Sequence, residues 1–195
     1  MPSTLLPIFR FADGACITQA QPRPLRSVTP ASPALWVMTD LTEVRAATAS
    51  PELTLGQAEQ TMIQQGVRML FVVTHMPCVE GIATLSMLHG DKPLQLIQQR
   101  HVRRTDLCLA DVMSRLSDLD VLDLETLGRA TVGDVAALLQ DLGMPYLLVA
   151  EPATPQSPPR IRGIISHTQV ERQLGTPLPM HAVARTFAEI GQALA

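Results

Sequence analysis

Aromatic residues, cysteine and charge are all scarce in this sequence of 195 residues. Only 3% of the residues are aromatic, 17% are charged, and there are three cysteines. An odd number of widely spaced cysteines does not suit a disulfide framework and favours reduced thiols that serve as small buried side chains. The hydrophobic content of 46% is enough for a sizeable core, which must consist of aliphatic residues and methionine.

The charge balance and the hydropathy pattern argue against nucleic-acid and membrane partners. The formal net charge of −3 offers no general attraction to polyanions. We interpret the one basic run, residues 100–104, as a solvated connector rather than a phosphate-binding patch. No stretch has the apolar length needed to span a bilayer, and the first residues lack the pattern of a signal peptide. We therefore expect a cytoplasmic protein.

Motifs of common catalytic sites are also missing. The sequence has no Gly-x-Ser-x-Gly elbow, P-loop or Rossmann glycine pattern, and its acidic residues form no obvious facing pair. His75 and Cys78 have a spacing that could supply two zinc ligands, but no second pair accompanies them. The sequence thus predicts neither an enzyme nor a metal site.

What the sequence does contain is an internal repeat. Residues 54–66 align with residues 131–143 at a constant offset of 77. Each copy begins with a threonine, a good N-cap, and has Gln57 or Asp134 three residues later to complete a capping box. Each copy ends with a glycine, which can adopt the left-handed conformation that terminates a helix. Apolar stripes, which include Ile63 in the first copy, complete the helical pattern.

The agreement between the copies continues on both sides of this helix. Each helix is followed by two β-type segments and a short closing helix. The β-type segments are 69–74 and 79–84 in the first copy and 146–150 and 161–166 in the second. The second copy has a longer loop, residues 152–159, which a connection between antiparallel strands tolerates. Chance would not preserve five elements in one order.

The repeat resembles the cystathionine-β-synthase-type (CBS) domain. Val-Met dipeptides at Val37 and Val112 are similar to the motif that opens the domain, and Gly81–Thr84 and Gly163–Ser166 are similar to its Gly-apolar-apolar-Thr/Ser turn. The resemblance is to a tandem pair, or Bateman module, of the stand-alone bacterial type. It implies an α/β (α+β) fold in which two β-α-β-β-α repeats pack through their sheets with pseudo-twofold symmetry.

The domain organisation follows from the repeat. The first CBS domain is predicted at residues 35–100 and the second at residues 101–179. Residues 1–34 are rich in proline, which predicts an extended N-terminal segment without a core of its own. Residues 180–195 have the apolar stripe of an amphipathic C-terminal helix, for which packing on the pair and a dimer or partner contact both stay open. The resemblance also implies a homodimer.

A ligand site is implied by the resemblance as well. CBS pairs commonly bind adenosine-containing ligands such as AMP, ATP or S-adenosylmethionine in the clefts between their domains, and the family has an aspartate three residues after the Thr/Ser of the turn. This sequence has Met87 and Gln169 at those positions, and neither carries the charge with which a carboxylate holds a ribose diol. We expect the better cleft near the second turn. The predicted ligand-binding residues are Leu122, Asp123, Met144, Pro145, Tyr146, Ser166, Thr168 and Gln169 in the second copy and Thr84 and Ser86 in the first.

Two functions follow, and the sequence does not decide between them. In the first, a ligand in the cleft shifts the arrangement of the pair and alters a separate, unidentified partner; the hydroxyls of Thr84 and Ser166 favour it. In the second, the degenerate clefts hold no ligand and the protein is an interaction or dimerisation scaffold, with the hydroxyls acting as helix caps. Arg68 and His167 could meet phosphate, but we interpret both as exposed polar residues.

Overall fold

The computed structural model describes residues 26–154 and 157–179, which form two four-stranded sheets covered by helices. The strands are β1 (Met38–Asp40), β2 (Thr48–Ala49), β3 (Met69–Val72), β4 (Gly81–Thr84), β5 (Ser114–Arg115), β6 (Val121–Asp123), β7 (Tyr146–Glu151) and β8 (Arg160–Ser166). The helices are α1 (Leu55–Gln65), α2 (Leu85–His89), α3 (Asp91–Arg100), α4 (Leu109–Val112), α5 (Leu124–Arg129), α6 (Val132–Leu142) and α7 (His167–Leu174). Short 3₁₀ helices span Ala34–Val37, Arg104–Asp106 and Leu116–Asp118. The predicted C-terminal helix, residues 180–195, lies outside the described residues.

The two repeat helices, α1 and α6, begin and end as their sequences predict. A threonine caps each N-terminus, and Gln57 or Asp134 closes a capping box with it. The residue after each helix is a glycine in the left-handed conformation, with φ of 65° at Gly66 and 58° at Gly143. These signals lie within one turn of each helix end, so they specify the helices without help from the rest of the fold.

One residue of the predicted apolar stripes is not buried. Ile63 is 64% exposed, whereas Leu55, Ala58 and Met62 of the same helix are at most 1% exposed. Ile63 follows Met62 by one residue, which rotates it by about 100° away from the buried face. The prediction that Ile63 belongs to one apolar stripe with these residues is therefore wrong.

The sheets exchange strands between the repeats. The strand orders are β1-β8-β7-β6 and β2-β3-β4-β5. β1 precedes the first repeat helix in sequence, yet it pairs antiparallel with β8 of the second repeat. β5 precedes the second repeat helix and pairs antiparallel with β4 of the first. The boundary predicted at residue 100 thus divides the sequence repeats, whereas each sheet takes its antiparallel edge strand from the other repeat.

The chain segments that lead into β1 and β5 are exchanged as well. The amide of Val132 donates to the carbonyl of Ser32 at 2.8 Å, and the equivalent amide of Leu55 donates to Leu107 at 3.2 Å. Val28 and Ala34 are buried in the core of the second repeat. The described part of the N-terminal segment therefore completes the core of the second repeat.

Two glycines make the exchange sterically possible. A Cβ atom on Gly81 would lie 2.2 Å from the backbone oxygen of Ser114 in β5. At the equivalent position, a Cβ atom on Gly163 would lie 2.4 Å from the sulfur of Met38 in β1. The glycine of each turn is thus needed because the exchanged strand passes directly over it.

The two sheets pack against each other through alternate residues of their central strands. Leu70 and Val72 of β3 lie in a core beneath α1, whereas Met69 and Phe71 lie in a separate apolar layer that includes Leu148 of the second repeat. The period of two along β3 places successive side chains on opposite faces, which explains why all four of its residues are buried. This layer between the sheets holds the two repeats together and confirms the predicted arrangement of the pair.

The basic run at residues 100–104 joins α3 to the segment before α4. Its arginines are engaged locally: Arg100 pairs with Asp111 at 2.5 Å and Arg103 with Asp106 at 3.1 Å. Arg104 donates to the carbonyl oxygen of Leu88 at 2.9 Å. None of the helices within residues 26–154 and 157–179 has the length and apolar composition needed to cross a membrane.

Candidate functional site

A cavity of about 430 Å³ lies between the two repeats. Its lining residues are Arg68, Thr84, Leu85, Ser86 and His89 from the first repeat and Pro145, Tyr146 and Thr168 from the second. This volume falls within the range of small-molecule sites. Half of the predicted ligand-binding residues line it, namely Thr84, Ser86, Pro145, Tyr146 and Thr168.

The cavity is shared by equivalent parts of the two repeats. Ser86 and Thr168 occupy the same position in the two turns, and Arg68 and Pro145 occupy the same position after the two repeat helices. All four residues line the one cavity. The sequence suggests one cleft near each turn, with the better one at the second, whereas here both turns contribute hydroxyls to a single space.

In the first turn, Thr84 is a structural residue and Ser86 is the more accessible one. Thr84 is 2% exposed, and its hydroxyl accepts a hydrogen bond from the amide of Met87 at 3.3 Å. The hydroxyls of Thr84 and Ser86 lie 2.9 Å apart. Thr84 thus caps α2, while Ser86 is exposed toward the cavity.

In the second turn, Thr168 lines the cavity and Ser166 does not. Ser166 is half-buried at the N-cap position of α7, but its side chain makes no capping hydrogen bond. Thr168, two residues later, is exposed and contributes to the lining. Ser166, one of the predicted ligand-binding residues, therefore does not line the cavity.

The two residues at the family's aspartate positions both contact an exchanged strand. The hydroxyl of Thr39 in β1 donates to Gln169 Oε1 at 3.2 Å, and Gln169 Nε2 donates to the carbonyl of Val37 at 3.4 Å. In the other repeat, the hydroxyl of Ser114 in β5 donates to the sulfur of Met87 at 3.9 Å. Gln169 and Met87 are thus equivalent in structure as well as in sequence, and neither lines the cavity.

Three further predicted site residues do not line the cavity. Asp123 caps α5, because its carboxylate accepts hydrogen bonds from the amide and hydroxyl of Thr126 at 2.8 and 3.1 Å. Leu122 packs against the core of the second repeat. Met144 follows the glycine that ends α6, and its amide donates to Leu139 at 3.3 Å. None of these three residues lines the cavity.

Positive charge in the cavity comes from the first repeat. Arg68 is exposed and lies close enough to Tyr146 to influence its ionisation: partial burial raises the pKa of Tyr146, and the Arg68 guanidinium opposes that rise. His89 is oriented by Glu59, whose Oε1 lies 2.9 Å from His89 Nε2. Sequence reasoning missed His89, although its position three residues after Ser86 on α2 was a usable signal.

His167, which sequence reasoning treats as an exposed polar residue, is 7% exposed. Its Nε2 lies 2.7 Å from the carbonyl oxygen of Leu178, and its Nδ1 lies 3.6 Å from Glu171 Oε2. Glu171 also accepts a hydrogen bond from the amide of Leu178 at 2.9 Å. His167 therefore anchors the chain after α7 and does not reach the cavity.

A second cavity, of about 370 Å³, contains none of the predicted site residues. Its lining includes Asp40 and Arg162, which are bound to each other. Hydrogen bonds from Arg162 and Thr42 hold the pKa of Asp40 well below its usual range. The Asp40 carboxylate is thus engaged with Thr42 and Arg162 within the protein.

The possible zinc pair does not form part of a larger cluster. His75 and Cys78 face each other across an isolated antiparallel bridge in the loop between β3 and β4. Within the part of the chain that the structure describes, no group of three or more His, Cys, Asp or Glu residues has the arrangement of a metal site.

Comparison with known proteins identifies the fold. No protein-family model matches the sequence, and no curated protein is significantly similar to it. An uncharacterized conserved protein from Pyrococcus horikoshii is 16% identical, with 79% of this chain and 100% of that chain covered at a TM-score of 0.54. CBSX2 in complex with AMP is 16% identical, with 72% and 93% covered at a TM-score of 0.50. A putative signal-transduction protein with CBS domains from Burkholderia ambifaria is 15% identical, with 71% and 88% covered at a TM-score of 0.50. The exchanged sheets, the shared cavity and these similarities together give this chain the fold of a tandem CBS-domain pair.

Proposed function

We propose that this protein is a regulatory, non-catalytic CBS-pair module that binds an adenosine-containing ligand of the AMP, ATP or S-adenosylmethionine class. The ligand occupies the cavity between the repeats, and its binding is signalled to a separate partner protein. The observation that carries the proposal is the shared lining, in which Ser86 and Thr168 supply hydroxyls from both repeats beside Arg68. A protein of the same fold, CBSX2, was solved in complex with AMP.

The shared lining also suggests how binding is transmitted. A ligand that touches both repeats stabilises the arrangement in which the two sets of contacts are made together, and this differential affinity shifts the conformational equilibrium. Tyr146 belongs to the cavity lining and also packs against the apolar layer between the sheets. A movement of Tyr146 on ligand binding would therefore change the packing of the apolar layer between the two sheets.

The proposal includes no catalytic step. Glu59 and His89 form a pair that could act as a base, but the hydroxyl of the nearby Ser86 bonds to Thr84 rather than to His89. A nucleophile must lie within hydrogen-bond reach of its base to be activated. The lining residues contain no other combination of this kind.

The cellular location of the protein and its oligomeric state are also part of the proposal. We place the module in the cytoplasm as a homodimer, with no nucleic-acid or membrane partner. Light scattering on the purified protein measures the assembly directly, and a mass equal to one chain would contradict the homodimer.

A thermal-shift screen tests the ligand. The purified protein is heated with AMP, ADP, ATP and S-adenosylmethionine, each in separate titrations. A ligand at about 100 times its dissociation constant adds about 2.7 kcal/mol to the free energy of unfolding, which raises the melting temperature measurably. A melting temperature that no ligand changes, even at millimolar concentration, would contradict the proposal.

A ligand-free scaffold is the second candidate, and one observation favours it. Gln169 and Met87, at the positions where the family has a carboxylate for ribose, are bound to the exchanged strands. If the thermal-shift screen is negative, the scaffold becomes the better explanation, and affinity capture with the purified module as bait would then identify a binding protein.

A further inference from the structure

We infer that the cavity selects phosphorylated adenosine ligands, such as AMP, over S-adenosylmethionine. This inference rests on the proposed function, because it names the charge class of the ligand in the same cavity. It follows from the ionisable groups in the lining, from their unequal distribution between the repeats, and from the interactions that these groups already make.

The lining contains one permanent cation and no carboxylate. Arg68 carries a permanent positive charge, His89 is paired with Glu59 outside the lining, and none of the eight lining residues is Asp or Glu. A phosphate gains charge-assisted hydrogen bonds from a guanidinium. S-adenosylmethionine has a sulfonium where AMP has its phosphate, and its net charge is positive in spite of its carboxylate, so the group next to its ribose would meet like charge at Arg68. The cavity therefore favours an anion.

Arg68 is available to a ligand. Its side chain is exposed, and within the described ranges its guanidinium forms no hydrogen bond or ion pair with another residue. Other arginines are already committed, as Arg162 is to Asp40 and Glu151. A phosphate at Arg68 would thus gain a partner without breaking an existing pair.

The positive charge is confined to one side of the pseudo-twofold relation. The residue equivalent to Arg68 in the second repeat is Pro145, and the residue equivalent to His89 is Glu171, which binds the amide of Leu178. The phosphate end of a ligand is therefore directed toward the first repeat. Pro145 and Tyr146 leave an apolar, aromatic surface for the base on the other side.

Isothermal titration calorimetry with three probes tests the inference on the full chain. AMP carries the phosphate, adenosine lacks it, and S-adenosylmethionine replaces it with a sulfonium. We expect AMP to bind about tenfold or more tightly than either of the others, the effect of one hydrogen bond to a charged group. Arg68→Gln is expected to lower AMP affinity to that of adenosine and to leave adenosine binding unchanged.

Arg160→Gln is the matched control, because it removes an exposed arginine that does not line the cavity; it is expected to leave all three affinities unchanged. Retained adenosine binding and an unchanged melting temperature show that Arg68→Gln is folded. If S-adenosylmethionine binds as tightly as AMP, or if Arg68→Gln leaves AMP affinity unchanged, the inference is overturned while the proposed function stands. If none of the three probes binds and ATP does not bind either, the proposed function fails and the inference falls with it.

Discussion

Asp40 and Arg162 form a two-pronged ion pair across 122 positions of sequence, with Arg162 Nε 3.0 Å from Oδ1 and Nη2 2.8 Å from Oδ2 of Asp40. Asp40 ends the exchanged strand β1 and Arg162 lies in β8, so the pair fastens one repeat to the sheet of the other. Arg162 also donates to Glu151 of β7 at 3.0 Å. Planar, bidentate geometry of this kind positions the partners more strictly than a single contact does.

This ion pair predicts a specific pH dependence of stability. Because Arg162 and Thr42 hold the pKa of Asp40 below its usual range, the folded state releases the proton that the unfolded state, with a pKa of about 3.9, still binds in acid. The contribution of the Asp40 carboxylate is therefore complete above about pH 5 and is lost progressively as the pH falls from about 4 toward the lowered pKa of the folded state. Asp40→Asn should lower the free energy of unfolding, measured by urea denaturation at neutral pH. The difference in this free energy between the variant and the wild type should shrink toward pH 3.

Asp120→Asn is the matched control for this measurement, because Asp120 is exposed and no described residue pairs with it. It should leave the urea midpoint unchanged at both pH values. A deficit of Asp40→Asn that stays constant from pH 7 to pH 3 would show that the charge of Asp40 contributes nothing.

The exchanged strands predict unequal effects of two glycine substitutions. Gly81→Ala would place a methyl group 2.2 Å from the backbone oxygen of Ser114, so β5 must move, and we expect a loss of about 1–3 kcal/mol. Gly163→Ala should cost less, because the nearest atom is the flexible sulfur of Met38 at 2.4 Å. Chemical denaturation measures both.

Gly128→Ala, in open space on α5, serves as the control and should be neutral or stabilising by up to about 1 kcal/mol. Equal losses at Gly81 and Gly128 would show that the approach of β5 places no demand on residue 81.

The hydroxyls of the cavity predict which substitutions weaken ligand binding. Replacing Ser86 and Thr168 together with alanine should lower AMP affinity by about tenfold, since each hydroxyl lost to a bound ligand costs about 0.5–1.5 kcal/mol. Gln169→Ala should leave AMP affinity unchanged but reduce stability, because it removes the bonds to Thr39 and Val37. Calorimetry and denaturation on each variant separate the two effects; a loss of affinity only in Gln169→Ala would mean that the ligand binds elsewhere.

The shared cavity predicts the binding stoichiometry. Ser86 and Thr168 are equivalent residues that line the same space, so the two repeats contribute to one site instead of forming two. Isothermal titration calorimetry should return one adenosine ligand per chain. Two ligands per chain, with either equal or distinct affinities, would contradict a single shared site.

Local signals in the sequence account for the repeat helices and for the strands that follow them. Each repeat helix has a capping box, at Thr54 or Thr131, and a terminating glycine, at position 66 or 143. These signals act within one turn, so they predict the helix ends without information from the rest of the fold. The apolar run of β3 and its match in the second repeat were equally local. With two copies in the same order, the tandem CBS-type fold was predictable.

The exchange of β1 and β5 was decided by the tertiary structure. Strand pairing depends on which edge of the sheet is free and on which face of the sheet must be covered. The sequence of the strand alone determines neither. The glycine at position 81 was visible in the sequence as part of a turn, but its steric reason, the approach of Ser114, exists only after the exchange.

The candidate site also combines features that the sequence determines with features that only the tertiary structure decides. The sequence alone determined the two turns and therefore the hydroxyls of Thr84, Ser86, Ser166 and Thr168. Only the packing of the two sheets decided that Ser86 and Thr168 share one cavity, that His89 joins them, and that Gln169 and His167 are turned to internal partners. The reason is physical: a turn fixes the direction of its own residues, whereas the space that they face is made by the other repeat.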